Sequence, residues 1–545
     1  MKRIGRSGIR VDQVDSRGMS RRELIAALGL GAGAAVVVGA CTVPAPTFDP
    51  PAPPPGAPEP GAFPDGVAAG DPLPGGSTIW TRVLAPVDGS PVGVVWSVAS
   101  DAAFTSIVAG GIAVADASAG HTVTVPVDGL AADSWFFYRF EVTGATAALS
   151  RTGRLRTAPA PGATPDRLRM AFASCQQIND SWFVAHRAAA AEPELDFFMH
   201  LGDYVYVSDT ATQTVQDYRD TYRRWRGQPL LRDLHASVPM VTMWDDGEFY
   251  NGVDAGGPEA RLANAKQAYF ENFPIVDPGD RRLYRSLQWG GLADVPVIDV
   301  RAYRSPAIDD PVNLSPGGVN DPSRTTLGAE QLAWLKQVLA SSTSTWRLIG
   351  SGYNVAPWRL LNLEFLRFFR PDLPQEPGVY APNEAWDDYM AERRDLLQFL
   401  DTAGVRDTAF LSGHTHIHMT SELKPDVDRP GAPVVAYDFC TGSMTADPDP
   451  RTLLGELPSN VAEEVLRTAE RWVLSQNAPM MRYMNFVNQG YTLVDATPDE
   501  LIVTTRLIDP FDPAAPAYDA ARFRLTPGST KLERLPAARP TGSFN

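Results

Sequence analysis

Asp196-Phe-Phe-Met-His-Leu-Gly-Asp-Tyr-Val-Tyr206 is the stretch on which the reading of this chain turns. A short apolar run bounded by charge reads as a buried strand. It stops at Gly202-Asp203, and Tyr206 follows three residues on. Glycine at a strand end lets the backbone turn sharply without a Cβ clash. Asp203 then stands at the carboxyl end of the strand, the edge where ligands bind in open α/β sheets. A carboxylate there is a hard oxygen donor able to bridge two metal ions, or else a loop cap or salt-bridge partner.

Four other segments end in the same way. Arg169-Met-Ala-Phe-Ala-Ser-Cys175 ends in a thiol. Val241-Thr-Met-Trp-Asp-Asp-Gly-Glu-Phe-Tyr-Asn251 offers Asp245, Asp246, Glu248 and Asn251. Val297-Ile-Asp-Val-Arg301 offers Asp299 and Arg301. Phe410-Leu-Ser-Gly-His-Thr-His-Ile-His418 brings three of the chain's seven histidines within five residues. His414-x-His416 after a strand can present both rings to one metal or to adjacent ones. Imidazole and thiolate suit a transition metal, whereas carboxylate, amide and phenolate oxygens suit a harder ion. Two ions sharing an aspartate are the usual device for phosphate ester hydrolysis, with a metal-activated hydroxide as nucleophile.

Around these segments strands and helices alternate from Arg167 onward, which predicts a layered α/β domain over 167–530. The predicted helices include Val215–Ser237 as one element. Residues 63–158 differ. Thr78–Val83, Val92–Val98, His121–Val127 and Trp135–Val142 are short, β-branched and aromatic. Asp88-Gly89, Gly110-Gly111 and Asp128-Gly129 separate them. This predicts an antiparallel β-sandwich with a structural role, joined to the second domain by the linker 159–165.

At 545 residues two domains are expected. Apolar content of 44 % and charged content of 21 % are those of a soluble globular protein. A net charge of −16 argues against a nucleic-acid partner, because phosphate backbones need basic patches. Phosphate substrates remain open, since bound cations invert the local field.

The N-terminus reads as a targeting segment over 1–41. Ser20-Arg21-Arg22-Glu23-Leu24 precedes an apolar run from Ile25 to Ala40. Twin arginines before such a run indicate Tat-type export. The run has about 16 residues, short of the roughly 20 that a membrane span needs. Val38-Gly-Ala-Cys41 is similar to a lipobox, so a lipid on Cys41 is the expected membrane attachment. The Pro- and Ala-rich segment 42–62 is an extended tether. That leaves Cys175 and Cys440, which pair as a disulfide or serve as a metal thiolate and a buried small hydrophobe.

Taken together, the motifs resemble those of the PhoD-type alkaline phosphatases, a branch of the calcineurin-like metallophosphoesterases. The resemblance rests on Gly66-Val-Ala-Ala-Gly-Asp-Pro72 with Ile79-Trp-Thr-Arg82, Phe172-Ala-Ser-Cys-Gln176 and Leu201–Tyr206. Trp244-Asp-Asp-Gly-Glu248, Asp299-Val-Arg-Ala-Tyr303 and Leu327–Leu335 complete it. It implies a fibronectin-like sandwich followed by a four-layer α-β-β-α domain. It also implies hydrolysis of phosphomonoesters, and by some members phosphodiesters, outside the cytoplasm at alkaline pH. The implied cofactors are iron and calcium. The implied metal shell is Cys175, Tyr206 and the bridging Asp203, completed by Asn251, His414 and His416 with Asp245 or Asp246.

Arg301, Asp246 and Glu248 are the expected catalytic groups. Arg301 either grips a phosphoryl oxygen or pairs with a carboxylate. The arginine-rich Tyr218–Arg226 meets an anionic substrate or forms a solvated helix face. Two positions depart from the family. Gly247 stands where a histidine usually follows Trp-Asp-Asp, and Gly413-His414-Thr-His416 replaces Gly-Asp-x-His. Alternative readings are a phosphodiesterase acting on lipid or wall polymers and a weakly active surface binding protein. The sequence leaves the oligomeric state undetermined.

Overall fold

The computed structural model describes residues 61–537, apart from 143–147, 179, 309–311, 382–383, 447–458, 511, 513 and 515. The export and lipidation expectations, including Cys41, therefore lie outside the described residues. So does nearly all of the tether.

Two sheets form the body. One has ten strands and the other seven. The centre of the larger sheet is parallel: Leu168–Ala173, Phe197–His200 and Met240–Thr242 run side by side. In the smaller sheet Ala293–Val297, Trp346–Tyr353, Thr408–Gly413 and Ala436–Cys440 are parallel neighbours. Strand periodicity divides their side chains between two faces. Met170, Phe172, Phe197 and Met199 point toward Val295, Val297, Leu348 and Leu411 of the other sheet, forming one shared core. Ala171, Ala173 and Phe198 point the other way, onto the helices Val184–Ala190 and Pro229–Ser237. On the far side of the smaller sheet, Ile349 and Phe410 pack on the helices Gly328–Ser341 and Met390–Thr402. The layers are therefore α-β-β-α, as expected.

The N-terminal segment is less separate than its sequence pattern suggests. Val67–Leu73, Gly76–Arg82 and Thr122–Val127 extend the ten-stranded sheet, with Val67–Leu73 parallel to Met240–Thr242. Val92–Ala99, Ile107–Ala115, Trp135–Val142, Ala148–Leu149 and Gly153–Arg156 make an antiparallel sheet of their own. The two layers enclose a core of Phe63, Ile79, Val94, Val125, Tyr138 and Leu155.

Two local expectations change. Val215–Ser237 is two helices, Val215–Arg226 and Pro229–Ser237. Pro229 has no N–H to continue the first helix but fits the first turn of a new one. The arginines of the first helix do not all face water. Arg219 pairs with Glu271, and Arg226 is fully buried with its guanidinium 4.3 Å from the Trp80 ring centroid.

Candidate metal centre

Every strand that enters the site does so by its carboxyl end, and the loops meet where the two sheets adjoin. Cys175, Asp203 and Asp245 follow strands of the larger sheet. Arg301, His414 and His416 follow strands of the smaller one. The turns are tight. Cys175, Asp203, His414 and His416 all adopt left-handed backbone, with φ of 61°, 54°, 71° and 57°. For non-glycine residues such conformations cost of order 1–3 kcal/mol each and persist where the surroundings impose them. Gly202 precedes Asp203 at φ 98°, and a Cβ on it would lie 2.5 Å from the backbone nitrogen of Asp245. Only glycine lets these two loops touch.

Two donor groups result. Cys175, Asp203 and His416 bring ligand atoms within 4.8 Å of one another, and so do Asp203, Asp245, Asp246 and His414. Asp203 belongs to both. Tyr206 joins the first group, its hydroxyl 3.2 Å from Asp203 Oδ2 and 3.0 Å from His416 Nε2. Cys175 Sγ lies 3.3 Å from the same Oδ2. Neither Cys175 nor Cys440 is in a disulfide among the described residues, so no such bond competes for this sulfur. Cys440 sits in an apolar cluster, and burial pushes its thiol up to about 12. A buried thiol, carboxylate and imidazole converging with a half-buried phenol have no packing rationale; they fit a transition metal. Three buried carboxylates with an imidazole fit a second, harder cation.

The electrostatics follow from this crowding. Burial raises the Asp246 carboxyl well above the usual range, and Asp203 and Asp245 add to the effect against Arg301. Asp245 is the opposite case: burial is outweighed by Arg301 and His414, which hold it well below the usual range. Burial disfavours charge on His414, yet Asp245 and the bonds to Asp203 and Asp245 lift its imidazole to about 10. Its Nδ1 lies 2.6 Å from Asp245 Oδ2.

Three expected residues take other positions. Glu248 does not present a free carboxylate. Fully buried, it accepts the backbone N–H groups of Asp203 at 3.0 Å, Tyr204 at 2.6 Å and Asp245 at 2.8 Å. It joins the two aspartate loops rather than facing a substrate. Arg301 is also fully buried, and its fork is spent on Asp245, with Nε–Oδ1 at 2.6 Å and Nη2–Oδ2 at 2.9 Å. Of the two readings of Arg301, this geometry is the carboxylate pair. Asn251 is exposed, and its backbone N–H donates to Asp209.

Asp299 caps the Arg301 and Ala302 amides. His418 accepts the Gly442 amide. One residue near the centre carried no sequence signal: Glu384, paired with Arg301 at 3.0 Å.

With the donors in place, the relationship is decided by comparison. The PhoD-like phosphatase model matches residues 170–505, and that of the PhoD-like phosphatase N-terminal domain matches 51–159. The chain belongs to the PhoD-like phosphatase family. It is 31 % identical to alkaline phosphatase D of Bacillus subtilis (strain 168), over 94 % of this chain and 87 % of that one. A solved structure of PhoD superposes with a TM-score of 0.76 at 29 % identity, covering 91 % of this chain and 95 % of the other. Purple acid phosphatase PPD1 from yellow lupin (Lupinus luteus) seeds shares the fold, with a TM-score of 0.53 at 12 % identity. That match covers 84 % of this chain and 73 % of the lupin protein. As a family member the chain is a phosphoric ester hydrolase. Among the described residues no helix is long and apolar enough to cross a membrane.

Proposed function

We propose that this PhoD-like phosphatase is an exported alkaline phosphatase that hydrolyses phosphomonoesters, and also phosphodiesters, and that Asp203 would serve two cations. The observation that carries the reading is the double membership of Asp203: one carboxylate stands within ligand distance of two separate donor groups. Cys175, Tyr206 and His416 would hold a transition metal, for which iron suits the thiol and phenol. Asp245, Asp246 and His414 would hold a harder ion such as calcium. Bound there, such ions would supply an activated water and polarise the phosphoryl oxygens.

The chain's own residues set the geometry. The Gly247 amide donates to Asp203 Oδ1 at 2.9 Å, which leaves Oδ2 directed at the thiol and phenol. Glu248 ties the Asp203 and Asp245 turns to each other. Arg301 fixes the plane of the Asp245 carboxylate by its two parallel bonds. Asp246, at 5 % exposure, stands with Asp245 and His414 in the second group, and its carboxyl would give up a proton to the ion it helps to hold.

The test is hydrolysis of an aryl phosphate monoester and diester by the full chain, with and without chelator. Turnover of the monoester that is lost on chelation and restored by metal is expected. Absence of hydrolysis with both ions bound would instead identify a binding protein.

A further inference from the structure

Glu384 belongs to none of the motifs, yet it closes a chain of contacts that ends on the metal donors. It precedes the 3-10 turn Trp386–Tyr389 and adopts left-handed backbone at φ 53°. Its Oε2 accepts from Arg301 Nη1 at 3.0 Å and from Arg304 Nη2 at 2.8 Å. Arg304 is itself anchored: Nε donates to the Val253 carbonyl at 2.7 Å, and Nη1 to the Glu384 carbonyl at 3.2 Å. Glu384 is thus gripped through backbone and side chain by an arginine fixed to the loop just beyond Asp245-Asp246. On its other side it holds Arg301, whose remaining N–H groups grip Asp245 and whose Nη2 lies 3.2 Å from His414 Nδ1. Both arginines are fully buried, whereas the Glu384 side chain is 33 % exposed.

We propose that Glu384 is a positioning residue for the Asp203–Asp245–Asp246–His414 cation site, acting through Arg301 and touching no ion itself. The proposal rests on the two-ion reading above. Two physical effects point the same way. The first is geometric: with Nη1 held by Glu384, the guanidinium cannot rotate, and Asp245 keeps one orientation. The second is electrostatic. Arg301 is a buried cation set against ligands that must accept another cation. The Glu384 carboxylate offsets that charge at 3.0 Å. Without it, Arg301 competes undiminished with the ion for Asp245. Arg301 bonds Asp245 and His414, which belong to the second group and not to the first, so the two halves of the centre should respond differently.

Cobalt(II) added to the metal-free full chain tests this. Bound metal is counted by mass spectrometry, and the thiolate-to-cobalt absorption band reports the Cys175 half alone. Wild type is expected to bind two ions. Glu384→Gln should keep the band while the second ion binds about 10- to 100-fold more weakly, the range for groups that orient metal ligands. Glu384→Asp should restore part of that loss. Two ions bound to Glu384→Gln with wild-type affinity would overturn the proposal. So would loss of both ions together from a folded variant. Should Glu384→Gln fail to fold, Arg304→Lys loosens Glu384 while keeping the charge. It is expected to weaken the second ion alone, and an unchanged second affinity would overturn the proposal. A wild-type chain that binds fewer than two ions refutes the two-ion reading and this inference together, and is told apart by that count.

Discussion

Gly247 offers the sharpest perturbation. The family usually places histidine there, so its absence suggests a lost catalytic group. The structure gives another account. A Cβ at Gly247 would lie 2.5 Å from the Val205 carbonyl oxygen and 2.7 Å from Asp203 Oδ1. The first is backbone and the second is the carboxylate common to both donor groups, so neither can yield without moving the centre. The Gly247 amide donates to that Oδ1, and its carbonyl accepts the Val207 amide at 3.1 Å. Gly247→Ala must therefore displace the 203–207 loop. Overpacking of this kind costs about 1–3 kcal/mol. Lengthening the amide–carboxylate bond adds about 1.5–3 kcal/mol, the range for hydrogen bonds to charged groups. The second term falls on the carboxylate common to both donor groups, so on the two-ion proposal metal affinity should drop about 10- to 100-fold. Gly247→His carries the same Cβ and should lose at least as much. Metal titration followed calorimetrically, together with kcat/KM on an aryl phosphate, measures both. A Gly247→His chain that binds metal like wild type and turns over faster would refute the steric account.

Cation affinity at the second donor group should fall as pH falls, and more steeply below pH 7. His414 titrates near 10 and Asp246 near 7, each lifted above its ordinary value, and an ion must displace both protons. Affinity is then expected to rise with pH, by about tenfold per unit between 7 and 10 and about a hundredfold per unit below 7; a pH-independent Kd would contradict this. Cys175→Gly removes the thiol and relieves a left-handed residue. The metal-free chain should gain up to about 1 kcal/mol in thermal unfolding while losing the transition-metal site. Arg226 is buried with no carboxylate partner among the described residues. Arg226→Met should be neutral or stabilising, whereas Arg226→Ala, which leaves a cavity over Trp80, should lower the melting temperature.

The legible parts of this site are those where chemistry is carried by residue type at a strand end. Cys175, Asp203, the Asp245-Asp246 pair and His414-x-His416 could each be read because a strand and its turn lie within ten residues, and the turn dictates where the next side chain points. The illegible parts depend on distance in sequence. Glu248 looks like a free acid until the Asp203 amide, 45 residues away, is seen to occupy it. Nothing near Glu384 marks it, because its partners Arg301 and Arg304 lie 83 and 80 residues back. Asn251, placed in the metal shell by resemblance alone, is exposed, because exposure depends on how the turn after Asp246 is packed and not on its spacing from the aspartates. The same distinction explains the N-terminal segment. Alternation identified its strands, but alternation is blind to which sheet a strand joins. Only the long-range pairing of Gly70 with Met240 merges the segment with the catalytic sheet. That pairing places Val67–Leu73 beside the Met240–Thr242 strand in one sheet, and that strand leads directly into Asp245. The N-terminal segment therefore buttresses a ligand-bearing loop, and its removal should disturb the second donor group before the first.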